Sequence, residues 1–217
     1  MSNFVIIPAR NEEKKIAEVI SRAKNFAGRI IVVDDGSKDG TSREAEKLGV
    51  TVLRHKVNLG KGAALKTGCD YALSQGAERM IVMDADGQHR PEDIPKFLSA
   101  LQDHQIVFGA RQMPKSMPLV LRLGNGVINQ ILKILYRLKI EDSQCGFRAF
   151  TAETYGRIRW EAQEFYVETA MMIKAGKNRL KHATITIETI YADNYKGTTV
   201  LDGVVIVMKM IGWRLIK

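Results

Sequence analysis

The chain is expected to fold as an α/β domain around a mostly parallel central sheet flanked by helices, and three observations say so. Short apolar runs alternate with helical patterns through the first half, which is the signature of βαβ units. Two of those runs end in paired acids, Asp34-Asp35 and Asp84-Ala85-Asp86, at the edge where open α/β sheets keep their ligands. The 217 residues, 45% of them hydrophobic, suffice for one domain with a sizeable core, or a domain plus a small appendage.

Phe4 to Pro8 is the first strand, and Glu12 to Phe26 the first helix, with Ile16, Val19, Ile20 and Ala23 along one face. Arg29 to Val33 is the second strand, halted by Asp34-Asp35-Gly36-Ser37-Lys38-Asp39-Gly40. Thr41-Ser42-Arg43-Glu44 then has the spacing of a capping box. Val50 to Arg54 is a third strand, and Asn58-Leu59-Gly60-Lys61-Gly62 leads into a helix from Ala63 to about Gln75. The wholly apolar Met80 to Met83 reads as a buried strand directly before Asp84. Pro91-Glu92-Asp93 opens a helix that runs to Leu101, with proline in the first turn and acids at the positive end of the dipole. Ile106 to Phe108 is a further strand, ending at Gly109-Ala110-Arg111.

The character changes from Met117. Leu119 to Ile140 is long and apolar, with Arg122, Asn125, Asn129 and Lys133 recurring on roughly one face. That pattern suits a core helix with a wet side. It suits equally a peripheral amphipathic helix over 117–140 at a membrane boundary, its apolar face in lipid and its basic face toward a phosphate. Cys145 to Phe150 reads as a strand returning to the sheet, Val167 to Ala175 as a helix and Ala183 to Ile190 as a strand. Residues 1–190 form the domain, and 191–217 an amphipathic tail. Trp213 among Lys209, Arg214 and Lys217 there fits either an interfacial anchor or a packing helix.

A formal charge of +9 predicts attraction to polyanions: nucleic acid, an anionic membrane surface or a phosphorylated substrate. Nucleic acid is disfavoured, because aromatic content is 7% and no stretch interleaves aromatics with bases. Cys69 and Cys145 lie far apart with no C-x-x-C, so neither a disulfide framework nor a zinc site is expected, and a reducing cytosol fits. The start of the chain shows no basic n-region and no small-residue cleavage site, so no signal peptide is expected. No window reaches the roughly 18 uninterrupted apolar residues of a spanning helix, so membrane contact is expected to be peripheral or through a partner.

Asp84-Ala85-Asp86 can turn two hard oxygen ligands toward one divalent cation, with Gly87 permitting a tight turn and Gln88 adding a neutral oxygen. The two acid pairs converge if their strands run parallel and close together. One pair then holds a metal against a diphosphate, while the other accepts hydrogen bonds from a nucleobase or ribose. No G-x-G-x-x-G follows the first strand, where Pro8-Ala9-Arg10-Asn11-Glu12 stands instead, and Asn58 to Gly62 lacks the Walker pattern and reads as a strand-to-helix turn.

Six motifs occur in order: Pro8-Ala9-Arg10-Asn11-Glu12, Asp34-Asp35-Gly36-Ser37-x-Asp39-Gly40-Thr41, Asn58-x-Gly60-x-Gly62, Asp84-Ala85-Asp86-Gly87-Gln88-His89-x-Pro91, Gly109-x-Arg111 and Asp142-x-x-Cys145-Gly146-Phe147-Arg148. Together they resemble the family 2 glycosyltransferases with the GT-A nucleotide-sugar-binding fold, and within them the dolichyl- or polyprenyl-phosphate sugar transferases. The resemblance extends to about Ile190. It implies that Pro8, Arg10, Glu12, Val33 and Asp35 contact the nucleotide and that Asp84, Ala85 and Asp86 contact its diphosphate end. It further implies that Asp86, with Gln88 and Asp84, holds Mg2+ or Mn2+. Arg111 matches an arginine used on donor or acceptor phosphates, and Arg122 a basic group facing the lipid phosphate. The segment Tyr191 to Thr198 lacks the arginine common in the mannose branch and leaves Lys196 for the lysine role. Gln144-Cys145-Gly146-Phe147 is closer to the glucose branch, and Asp86-Gly87-Gln88-His89 to the mannose branch.

The expected activity is inverting, metal-dependent transfer of a hexose or N-acetylhexosamine from a GDP- or UDP-sugar to a polyprenyl phosphate at the cytoplasmic face of a membrane, directly or through a membrane-anchoring partner. A phosphate monoester, with a second pKa of about 6, is already a nucleophile near neutrality and needs steering more than a base. The alternatives are transfer to a saccharide hydroxyl, which needs a base that Glu141-Asp142 can supply, and a basic nucleic-acid-binding protein. Asp142 has a second reading, in which it orders the loop before Cys145.

Overall fold

The computed structural model describes residues 1–112, 119–161, 166–188 and 190, with 205, 207, 208, 210 and 212 near the end; of 119–123 it describes the backbone alone. The expectations for Lys196, for the Arg122 side chain and for most of the 191–217 tail lie outside the described residues.

Seven strands form one sheet in the order β3-β2-β1-β4-β6-β5-β7. They are β1 (Asn3–Ala9), β2 (Arg29–Asp34), β3 (Thr51–Arg54), β4 (Arg79–Val82), β5 (Ile106–Arg111), β6 (Arg148–Thr151) and β7 (His182–Ile187). Every pairing is parallel except those of β6, which runs antiparallel between β4 and β5. β1 is the centre of the site half: Ile6 stands between Ile31 and Val82, and Ala9 is level with Asp34. The acids after β2 and β4 therefore emerge at one edge, on either side of β1.

β1 reads as a continuous apolar run because helices cover both of its faces. Val5 and Ile7 pack with Ile16, Val19 and Ile20 of α1 (Ile16–Ala23) and with Phe97 of α4 (Ile94–Ala100). Phe4 and Ile6 pack on the other side with Ala64, Leu65 and Cys69 of α3 (Lys61–Ser74). That second layer continues into α5 (Leu119–Tyr136), through Ile128 and Leu132, and α7 (Val167–Lys177), through Met171 and Met172.

Three local expectations are corrected, and one helix is added. α1 begins at Ile16, because the Glu12 carbonyl closes a first turn with the amides of Lys15 and Ile16 and the residues before it belong to a loop. The capping box before α2 (Thr41–Glu46) does not form: Gly40 is the capping residue, the Thr41 hydroxyl donates to Asp39 and accepts from the Glu12 amide, and Glu44 pairs with Lys47. The strand expected over Cys145 to Phe150 starts at Arg148, since Cys145 to Phe147 form a loop that hands the chain over in reverse direction. A short helix, α6 (Ala152–Ile158), follows it, capped by Thr151, whose hydroxyl accepts from the Thr154 amide at 3.1 Å.

The wet face assigned to the long helix is also redrawn. Asn125 is buried and Asn129 half-buried, because both turn inward to hold the loop that follows α5. The Ser143 hydroxyl donates to Asn125 Oδ1 at 2.8 Å, and Asn129 Nδ2 donates to the Glu141 carbonyl at 2.7 Å. Among the described side chains of α5 the exposed positions are Gly124, Gly126, Val127, Gln130, Lys133 and Ile134. Among the described residues no helix is long and apolar enough to cross a membrane.

Candidate active site

The loops after β1 and β2 are laced into one wall. Ser37 Oγ accepts from the Asn11 amide at 2.9 Å, Asn11 Oδ1 accepts from the Lys38 amide at 2.9 Å, and Thr41 Oγ1 accepts from the Glu12 amide at 2.8 Å. Asn11 sits at φ 54°, a conformation asparagine tolerates better than most residues, and this turns the chain from strand into loop. Pro8 and Val33 are buried beneath the wall, Arg10 is exposed on it and Glu12 is half-buried.

The two acids at the end of β2 divide the work. Asp34 is fully buried; it accepts from the Ser37 amide at 2.8 Å and from the Ser42 hydroxyl, so it builds the loop. Asp35 reaches the next loop, accepting from the amides of Leu59 at 2.9 Å and Gly60 at 2.8 Å, and lies 2.7 Å from His55 Nδ1. His55 Nε2 in turn lies 3.0 Å from the Thr67 hydroxyl, so a chain of contacts runs from β2 to α3. Gly60 bends into α3 at φ 94°, left-handed space that a glycine enters without strain.

The Asp84–His89 turn follows β4. The Asp84 amide donates to His89 Nδ1 at 3.1 Å, and burial keeps this histidine below its ordinary pKa, so the neutral ring accepts at Nδ1. Asp86 Oδ1 accepts from the Gln88 amide at 3.0 Å, and the Asp86 carbonyl accepts from Lys15 Nζ at 2.7 Å. Asp84 is turned differently from Asp86. Its Oδ1 is 2.5 Å from Lys61 Nζ, and that ammonium is also 2.7 Å from Glu168 Oε1. Burial pushes the Asp84 carboxyl up, but the charge and hydrogen bond of Lys61, together with His89 and Arg111, outweigh it and hold the carboxyl at about 2, so it is ionised throughout the physiological range.

Arg111, at the end of β5, is paired with Asp142, which is 1% exposed. Asp142 also accepts from the Gln144 amide at 3.0 Å, and so orders the loop before Cys145. Arg148 is buried with its guanidinium spread over the carbonyls of Ser143, Cys145 and Glu168, tying that loop to the start of α7. Sequence patterns did not single out Lys61, Glu168 or His55 as members of this network, and they placed Arg148 in a motif without a role. Lys61 had one signal: a cation in the first turn of a helix, where the dipole disfavours it.

The donor set suits a hard divalent cation, with two carboxylates and an amide oxygen within one turn. Among the described residues no three His, Cys, Asp or Glu side chains converge as a complete centre, so a cation here would draw further oxygens from ligand and water.

An open sheet with antiparallel β6 inserted beside β4 and its acids gathered at the edge of β2, β1 and β4 is the frame of a GT-A sugar transferase. The chain belongs to glycosyltransferase family 2: the model of that family, Glycosyl transferase family 2, matches residues 4–158. An uncharacterised protein of Methanocaldococcus jannaschii is 39% identical, covering 96% of this chain and 90% of its own length. A UDP-N-acetylglucosamine–dolichyl-phosphate N-acetylglucosaminyltransferase of Methanococcus voltae is 33% identical, covering 96% and 94%. An undecaprenyl-phosphate mannosyltransferase of Micrococcus luteus is 31% identical, covering 76% and 72%. Among solved structures, glucosyl-3-phosphoglycerate synthase of Mycobacterium tuberculosis in complex with Mn2+ and UDP-glucose superposes with a TM-score of 0.78 at 20% identity, covering 97% of this chain and 79% of that one. It confirms the fold.

Proposed function

We propose that this glycosyltransferase moves a hexose or N-acetylhexosamine from a nucleoside diphosphate sugar to a polyprenyl phosphate, with inversion, as a peripheral protein at the cytoplasmic face of a membrane. Two relatives similar over most of this chain are named for dolichyl- or undecaprenyl-phosphate acceptors, which supports the acceptor class. The single observation that carries it is the state of Asp142. An acid that is almost fully buried and clamped by Arg111 is poorly placed to take a proton from a sugar hydroxyl. An acceptor phosphate needs no such base.

In this proposal the wall of Pro8, Arg10, Glu12, Val33 and Asp35 takes the nucleoside, and the turn of Asp84, Ala85 and Asp86 faces the diphosphate. Asp84, Asp86 and Gln88 would hold Mg2+ or Mn2+, and a cation there would neutralise the charge that develops on the leaving diphosphate. Arg111, Arg122 and Lys196 would steer the phosphates. The buried floor of Ala85, His89 and Phe147 keeps water away from beneath the turn. Membrane contact would be made by the protein itself or through an anchoring partner.

Thermal-shift screening of GDP- and UDP-sugars with and without Mn2+ tests the donor side. A true donor at about 100 times its Kd stabilises by about 2.7 kcal/mol, a shift of several degrees. Absence of any metal-dependent shift across the panel would overturn the proposal.

A further inference from the structure

We propose that Lys61 is a resident cation that competes with the divalent metal for Asp84, so that the metal binds tightly only together with the nucleoside diphosphate. The inference rests on the metal assignment made above and adds a device that couples the two ligands.

Lys61 is the first residue of α3, and its first turn contains no acid. A cation there opposes the helix dipole, so helix stability does not account for it. What holds the ammonium is a pair of carboxylates from two other elements, Asp84 at 2.5 Å and Glu168 at 2.7 Å. Glu168 is itself fixed, since its carbonyl accepts from the buried Arg148 at 2.5 Å. The other Asp84 oxygen lies against Gly146, where an added Cβ would stand 2.5 Å from Oδ2. Asp84 is therefore occupied by an ammonium on one oxygen, with Gly146 beside the other. Asp86 Oδ2, by contrast, makes no hydrogen bond among the described residues. One acid alone gives a weak divalent site. A diphosphate supplies oxygens of its own and draws on the same ammonium, so its arrival relaxes the competition; by linkage, the metal strengthens diphosphate binding by the same factor.

The test is titration of the intact protein with Mn2+ alone, read by EPR of the free ion, and again in saturating UDP or GDP. The informative variant is Lys61→Met combined with Glu168→Gln, which removes one charge of each sign, leaves the net charge of the site unchanged and strands no acid beside Asp84. Wild type is expected to bind Mn2+ at least about tenfold more tightly with nucleotide than without, and the double variant to bind Mn2+ alone about tenfold more tightly than wild type. Glu168→Gln alone concentrates the ammonium on Asp84 and is expected to shift the nucleotide-free affinity the other way. If nucleotide promotes Mn2+ binding in wild type but the double variant binds Mn2+ alone no better, competition by Lys61 is refuted while the metal site stands. If Mn2+ binds in neither condition, the metal assignment falls and this inference falls with it.

Discussion

Arg111 and Asp142 form a two-point ion pair, Nε to Oδ2 at 2.6 Å and Nη2 to Oδ1 at 3.1 Å, and the Arg111 amide adds a third bond to Oδ2 at 3.2 Å. The pair joins the end of β5 to the loop between α5 and β6, and so fixes one flank of the site. Burial pushes the Asp142 carboxyl up, but hydrogen bonds and charge from Arg111 outweigh it and hold the group below its ordinary value. With the folded value below the unfolded one, the stabilisation is complete above the unfolded carboxylate pKa of about 4 and is lost as pH falls through the lower folded value. Asp142→Asn is expected to cost about 3 kcal/mol at neutral pH, and progressively less below about pH 4. Urea midpoints measured across that range check it; an equal cost at pH 3 and pH 7 would contradict the ion pair as the cause.

Asp35 is expected to act through the loop it holds. In Asp35→Asn one carboxylate oxygen becomes an amide nitrogen facing the amides of Leu59 or Gly60, or the His55 ring. Losing a charged acceptor there costs about 2 kcal/mol, or a factor of about 30 in opening of the loop. Hydrogen exchange of the Leu59 and Gly60 amides should accelerate accordingly while amides in β1 keep their protection. Unchanged exchange at those two amides would show that Asp35 does not hold the loop.

Gly146 leaves room for the Asp84 carboxylate, and even a methyl group would intrude. Gly146→Ala is expected to displace Asp84 by a few tenths of an ångström to an ångström and to lower sugar transfer by about 100-fold. The melting temperature should fall by only a few degrees, because the added methyl meets the Asp84 carboxylate, a side chain that can shift. A variant with wild-type turnover would mean that the position of Asp84 is unimportant.

The frame was legible because its strands are written plainly. β1, β2 and β4 carry apolar runs without interruption, and β2 and β4 are followed by turns that their acids and glycines mark. β6 was misjudged at its start because Cys145 and Phe147 are as apolar as the strand that follows; they fill the core from a loop. The long helix was turned wrongly because helical spacing groups Asn125 with Asn129 but does not tell inward from outward. Their partners are Ser143 and the Glu141 carbonyl, residues beyond the helix end. The same limit hid the centre of the site. Lys61 and Glu168 meet at Asp84 only because α3 and α7 pack on one face of the sheet, and no local pattern contains that meeting.

The most direct measurement is transfer itself. Protein is incubated with Mn2+, a labelled nucleotide sugar that raises its melting point, and vesicles carrying polyprenyl phosphate; label is then followed into the organic-extractable, mild-acid-labile fraction. Label should enter that fraction with metal and wild-type protein, and Asp86→Ala should abolish it. Label in a water-soluble glycan instead, or full transfer by Asp86→Ala, would contradict the assignment of this site.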